Sequence, residues 1–254
     1  MFGGEDGIAA DWQVLGSATG VITVPRSARI GLWAYNRTTD RLSSLSRLHP
    51  DDLHGLSLED PRQPTWLTDG HLTYIQGLTA LEHLSLTRTR IGDAGLAHLR
   101  HLSSLRELRL DETAVTDVGL NHLAALPALE DLYLGWTRVQ GPGLAVLRDL
   151  PALRWLNLWG APLIETGLMS LQGCATLRGL WLAESAVRDA HLAHLRDLPA
   201  LRELGLSYTG IGDAALVSLY DLSSLRTLYL GETAVSDAGV ARLQAALPQC
   251  AIVR

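Results

Sequence analysis

Cysteine is nearly absent from this chain of 254 residues, which has only Cys174 and Cys250. Cys174 stands in a column otherwise filled by leucine, and Cys250 falls about three repeat units later. At roughly 4.8 Å per stacked strand that separates them by on the order of 14 Å, beyond disulfide reach. Both are expected as free thiols, which points to a reducing, cytoplasmic compartment. Long apolar runs are missing too, none approaching the roughly 18 residues of a membrane-spanning helix. The opening MFGGEDGIAADW carries acid where a secretion signal has basic and apolar stretches, so no export is expected. Basic excess is absent: the formal net charge is −6 and the pI about 5.8, against a general nucleic-acid or anionic-membrane partner. Phosphate-loop, GxSxG, HExxH and clustered Cys/His signatures are all missing, so neither an enzyme nor a cofactor is expected. Of nine histidines, His98, His122 and His194 share one column, and His98/His101 and His191/His194 lie three apart. Lacking a full ligand set, they read as ordinary surface residues rather than metal ligands.

What the chain has in abundance is itself. Shifted by 24 residues, the sequence superimposes on its own copy, with Leu78, Leu102, Leu126, Leu150, Cys174, Leu198 and Leu222 opening seven units that run to Ala245. Leu84, Leu108, Leu132, Leu156, Leu180, Leu204 and Leu228 form one apolar column, with a second leucine column two residues on. A fixed period of this size marks a solenoid, whose units bury their apolar faces only by stacking. In the second unit, Leu105–Leu110 alternates as a short strand and Thr113 marks the turn. Asp117, matched by Asp93, Asp189, Asp213 and Asp237, is placed to cap the helix that follows over Val118–Ala124. The recurring Gly95, Gly119, Gly143, Gly167 and Gly239 read as part of the turn into that helix.

The ends depart from the period. Residues 1–53 do not fit the frame and read as an N-terminal cap, with strand-like stretches at Gly20–Pro25 and Ile30–Tyr35 and helical spacing of Leu42, Leu45 and Leu48. Residues 54–77 read as a degenerate first unit, lengthened by about four residues around Pro61 and Pro64. Asn36–Arg37–Thr38 matches a glycosylation sequon that the absence of a secretion signal makes accidental. The solenoid therefore spans 54–245, and 246–254 supplies a closing strand through Cys250–Val253.

The pattern LxxLxLxxTx[IV]xDxGLxxLxx resembles the leucine-rich repeat family, in a bacterial 24-residue variety related to the cysteine-containing and ribonuclease-inhibitor-like classes. The resemblance covers about residues 54–254. It implies an α/β solenoid, with a curved parallel sheet on the concave face and short helices on the convex face. It also implies a protein-recognition role. The usual Asn of many such repeats is Thr89, Thr113, Thr137, Ala161, Ser185, Thr209 and Thr233 here. Ala161, lacking a hydroxyl, predicts an altered bend in the fourth unit.

The third, fifth, seventh and eighth positions of LxxLxLxx point away from the core. They carry Asp131, Tyr133, Trp136, Trp155, Asn157, Trp159, Trp181, Glu184, Glu203, Tyr208, Tyr229 and Glu232. Rings on neighbouring strands are expected to touch. Glu107, Asp111, Glu112 and Asp131 edge this patch on one side and Glu184, Glu203 and Glu232 on the other. The expected partner is a protein or peptide offering basic and apolar residues, through cation–π and ion-pair contacts. Carbohydrate or small-ligand binding, and homo-oligomerisation through the same patch, are the alternatives. Self-packing of large residues on a flat sheet is the bland reading. Arg154, Arg178, Arg202 and Arg226 form a ladder that Asp149, Asp197 and Asp221 are expected to neutralise.

Overall fold

The computed structural model describes residues 30–33, 39–59, 67–164 and 166–254. Expectations for Gly20–Pro25, the sequon at 36–38 and the proline-bearing insertion at 61 and 64 lie outside them. Ten three-residue strands among the described residues form one parallel sheet in chain order. They are β1 (Gly31–Trp33), β2 (Gly55–Ser57), β3 (His83–Ser85), β4 (Glu107–Arg109), β5 (Asp131–Tyr133), β6 (Trp155–Asn157), β7 (Gly179–Trp181), β8 (Glu203–Gly205), β9 (Thr227–Tyr229) and β10 (Ala251–Val253). The central residue of each is the inward one: Leu84 pairs with Leu108, Leu108 with Leu132, and so on to Ile252. Those leucines are fully buried in a single core running the length of the stack.

The return segments carry leucines three apart, such as Leu120/Leu123, Leu144/Leu147 and Leu192/Leu195, and most are 3₁₀ helices. With three residues per turn, a 3₁₀ helix puts both leucines on one line facing the core. Asp237–Ala246 is the longest α-helix among the described residues, and β10 follows it against β9, forming the closing strand. At the other end the frame extends further than expected. Gly31 pairs with Gly55, one 24-residue step away, and Leu42, Leu45 and Leu53 join the core. Residues 30–33 and 39–53, assigned above to a cap, therefore add a strand and buried leucines in the solenoid's own register. The strands β2 and β3 are the ones set four residues further apart, Gly55 pairing with His83.

Two local devices recur along the stack, one closing the turn within a coil and one joining a coil to the next. The hydroxyl of Thr113 donates to the carbonyl of Leu110 at 2.6 Å, and Thr89, Thr137, Ser185, Thr209 and Thr233 repeat this turn closure. Ala161 cannot, and there the turn closes through its backbone N–H on Leu158 alone. The aspartate column acts differently from the expected helix cap. Asp117 does not cap its own helix; its carboxylate reaches the next coil and accepts from the N–H groups of Gln140, Gly141 and Gly143 at 2.8–2.9 Å. Asp69, Asp93, Asp189 and Asp213 reach Gly92, Thr116, Gly212 and Ser236 in the same way. This also corrects the reading of the glycine column. A Cβ on Gly119 would lie 2.5 Å from Asp93 Oδ1, and one on Gly95 would lie 2.6 Å from Asp69 Oδ1. The glycines make room for the carboxylate of the preceding coil.

In two coils the equivalent N–H is met from within the coil by a histidine. Arg188 N–H donates to His191 Nδ1 at 3.0 Å, and Thr68 N–H to His71 Nδ1 at 3.1 Å. His191 occupies the glycine column and is buried, contrary to its expected place on the surface.

Candidate binding surface

Parallel registry turns the sequence into columns on the open face of the sheet. One column reads His83, Glu107, Asp131, Trp155, Gly179, Glu203 and Thr227; its companion reads Ser85, Arg109, Tyr133, Asn157, Trp181, Gly205 and Tyr229. Two chemically distinct areas result.

Over β3–β5 the charges satisfy one another. Glu107 is nearly buried, receives His83 Nδ1 at 3.0 Å and Arg109 Nε at 2.5 Å, and holds its carboxyl below the usual range despite desolvation. The Arg109 guanidinium lies 4.8 Å from the centre of the Tyr133 ring, a cation–π contact. Asp111 accepts from Gly135 N–H at 2.8 Å, yet burial pushes it up to about 6. Asp131 is also raised to about 6, by burial first and then by the negative charge of Glu107 and Glu130.

Over β6–β9 the face is aromatic, and its rings rest on glycine. Built onto Gly179, a Cβ would fall inside the Trp155 ring system; on Gly205 it would strike Trp181, and on Gly160 Trp136. Each indole lies across the residue 24 positions later, which can only be glycine while the ring stays down. Trp155, Trp159 and Trp181 are half-buried, whereas Trp136, although it lies over Gly160, and Tyr208 stand 53% and 60% exposed. The expectation that neighbouring rings touch is corrected: among the described residues the ring contact is Trp181–Tyr229, 5.1 Å between centroids and tilted by 38°. These two sit two strands apart, and Gly205 between them leaves the gap that lets them meet. Asn157 holds the turn by accepting Trp159 N–H at 2.8 Å.

The rim beside the sheet is strained. Arg88, Glu112, Trp136, Glu184, Tyr208 and Glu232 have φ of 54–59°, and Gly160 completes the column at 65°. Left-handed backbone costs an L-residue roughly 1–2 kcal/mol. The inter-coil ladder imposes it, through bonds such as Glu112 N–H to Gly135 O at 2.8 Å and Tyr208 N–H to Gly231 O at 2.8 Å. All six non-glycine side chains are exposed. Glu112 and Trp136, with Thr113 and Arg138, line an open depression on this rim.

Along the opposite flank runs the arginine ladder. Asp149, Asp197 and Asp221 form no ion pair with it, contrary to expectation. Arg154 instead meets Glu130 at 3.4 Å, and Glu130 also takes Arg106 at 2.6 Å. The sequence missed this because Glu82, Arg106, Glu130 and Arg154 occupy one column 24 residues apart, not neighbouring positions. Among the described residues, no group of His, Cys, Asp and Glu could hold a metal ion. Both thiols are buried and free; burial pushes Cys174 up to about 11 and raises Cys250.

The model of the family described as Leucine Rich repeat matches residues 77–100, one unit of the seven. The sequence finds no match among curated proteins. Among solved structures, an internalin (inlF) from Listeria monocytogenes str. 4b F2365 superimposes with a TM-score of 0.55 at 19% identity, over 83% of this chain and 69% of its own. An internalin C2 from the same strain gives 0.54 at 23% identity over 74% of each chain. The mouse RP105/MD-1 complex gives 0.55 at 20% identity, over 83% of this chain and 41% of that one. At such identities the likeness is one of fold. It joins the seven 24-residue units and the in-register parallel sheet in one conclusion: the chain folds as a leucine-rich repeat solenoid, with the family's repeat matched at residues 77–100.

Proposed function

We propose that this protein is a non-enzymatic scaffold of a bacterial cytoplasm that holds a protein or peptide across the open face of β5–β9. The contact residues are Tyr133, Trp136, Trp155, Asn157, Trp159, Trp181, Tyr208 and Tyr229, edged by Glu107, Asp111, Asp131, Glu184 and Glu203. The observation that carries this reading is the seating of Trp155 and Trp181 on Gly179 and Gly205. Rings held flat by the backbone beneath them lose little freedom when a partner covers them, and Trp and Tyr dominate binding hot spots. Asp131, which accepts no hydrogen bond from a described residue, lies in register beside Trp155. A basic side chain of the partner would meet a carboxylate and an indole face together.

The test compares partners recovered by the wild type and by Trp155→Ala/Trp159→Ala/Trp181→Ala, with circular dichroism confirming that both are folded. Each anchoring ring is worth about 2 kcal/mol or more, so the variant loses its partner. Equal recovery removes this surface from consideration. The flat indoles also suit a sugar ring; a saturable tryptophan quench by one member of a glycan panel replaces the protein reading with that one.

A further inference from the structure

We infer that the flank carrying Arg178, Arg202 and Arg226, which continues the column from Arg154, is a second interaction surface, built for an acidic helix of a partner protein. The four residues each precede a strand and are bonded rung to rung: Arg178 N–H to Arg154 O, Arg202 N–H to Arg178 O and Arg226 N–H to Arg202 O, all at 2.7 Å. Their Cα atoms therefore follow the strand spacing, about 4.8 Å per step and about 14 Å over the ladder. All four side chains are exposed. The residues two places earlier are small, Ala152, Thr176, Ala200 and Ser224.

The same column in the preceding coils shows what a neutralised ladder looks like. There Glu82, Arg106, Glu130 and Arg154 alternate in sign, and their ion pairs run at 3.9, 2.6 and 3.4 Å. From Arg178 onward the alternation stops. Among the described residues no carboxylate pairs with Arg178, Arg202 or Arg226; Arg226 Nη1 donates only to the carbonyls of Ser223 and Leu225. Like charges placed directly opposite on neighbouring strands repel. A carboxylate-bearing partner would relieve that repulsion, and every cation in this chain is an arginine, whose planar fork grips carboxylates in pairs.

Spacing selects the form of the partner. The three arginines that no carboxylate engages span about 9.6 Å, and glutamates at i, i+3 and i+7 of an α-helix rise about 10.5 Å along one face, matching them rung for rung. Alternate residues of an extended strand advance about 6.7 Å per step and lose register after one rung. A long polyanion such as nucleic acid meets a chain of net charge −6, which opposes it beyond the ladder.

Fluorescence anisotropy of the full chain with a labelled alanine-based helix of about 20 residues, bearing glutamates in that stripe, tests the inference. A helix of equal composition with its glutamates scattered around the axis, and a single-stranded oligonucleotide of equal charge, serve as competitors. The striped helix is expected to bind at least about tenfold more tightly than either, and more weakly as salt is raised. Arg178→Ala/Arg202→Ala is expected to lose about tenfold, while Arg106→Ala, a residue already engaged by Glu82 and Glu130, binds as the wild type does. No binding, equal binding of striped and scattered helices, preference for the oligonucleotide, or equal losses in both variants would each overturn it. Circular dichroism of the variants checks that the losses are not unfolding.

Discussion

The coils that carry β3–β5 and those that carry β6–β9 are built from one template, yet they spend their outward positions differently. In the first set His83, Glu107, Arg109 and Tyr133 engage one another, and Arg106 is held between two glutamates. In the second, Trp155 and Trp181 rest on glycine and Arg178 and Arg202 face no carboxylate. The lesson is that a solenoid keeps its fold through inward columns and coil-to-coil bonds, which leaves each stretch of the outer surface free to be internally satisfied or open. The open stretch is where a partner has most to offer.

The contrast can be broken at its seam. Asp117→Ala strands the N–H groups of Gln140, Gly141 and Gly143, so urea unfolding should show a loss of about 3 kcal/mol, against about 1 kcal/mol for Asp189→Ala, which frees one N–H. Next in size, Gly179→Ala should cost about 1–3 kcal/mol by lifting the Trp155 ring; a matching rise in tryptophan solvent exposure, read by acrylamide quenching, ties the loss to that ring. On the strained rim, Glu184→Gly should gain about 1 kcal/mol by relieving a left-handed φ. An unchanged midpoint would show that its side chain repays the strain.

Acidity sharpens the comparison in the charged area. Asp131 and Asp111 have folded values raised to about 6 from 3.8, so both favour the folded state when protonated. Their contribution is complete below about 4 and is lost as pH rises through about 6. Glu107, lowered, works in the opposite sense, contributing above its ordinary range and losing that as pH falls. Asp131→Asn should therefore unfold at higher temperature than the wild type at pH 7.5, with the gap narrowing as pH falls below about 6 and closed near pH 4. The smallest effect is expected on the flank: Arg106→Ala should cost about 0.5 kcal/mol at low salt and Arg178→Ala nothing measurable.

Much of this was legible in the sequence. The leucine columns alone require stacked coils, because Leu108 and Leu132 cannot both be buried in any other arrangement of 24-residue units. The aromatic residues of the open face were legible too, since they alternate with inward leucines. What escaped reading was consistently the partner one coil away. Asp117 looks like a helix cap because its own helix is adjacent in the chain, whereas its true acceptor role falls on residues 140–143. Asp149 looked like the partner of Arg154 for the same reason, and Glu130 is. The glycines under the indoles had left a signal: Trp136/Gly160, Trp155/Gly179 and Trp181/Gly205 are all one period apart. That β1 continues the register was hidden because the inward residues among the described part of 30–53 are too few to announce the period.

The reach of each aspartate into the following coil sets a rule for rearranging the molecule. Because Asp93 fits beneath Gly119 as Asp69 fits beneath Gly95, a unit can be cut out or duplicated between such seams, and the new junction finds the same complement waiting. At His191 the seam is of another kind, self-contained within its coil, and a splice that set an aspartate against that imidazole would meet an occupied space. The protein thus carries interchangeable joints at Asp69, Asp93 and Asp213 and keyed ones at His71 and His191, which confines lengthening or shortening to places where the joints agree.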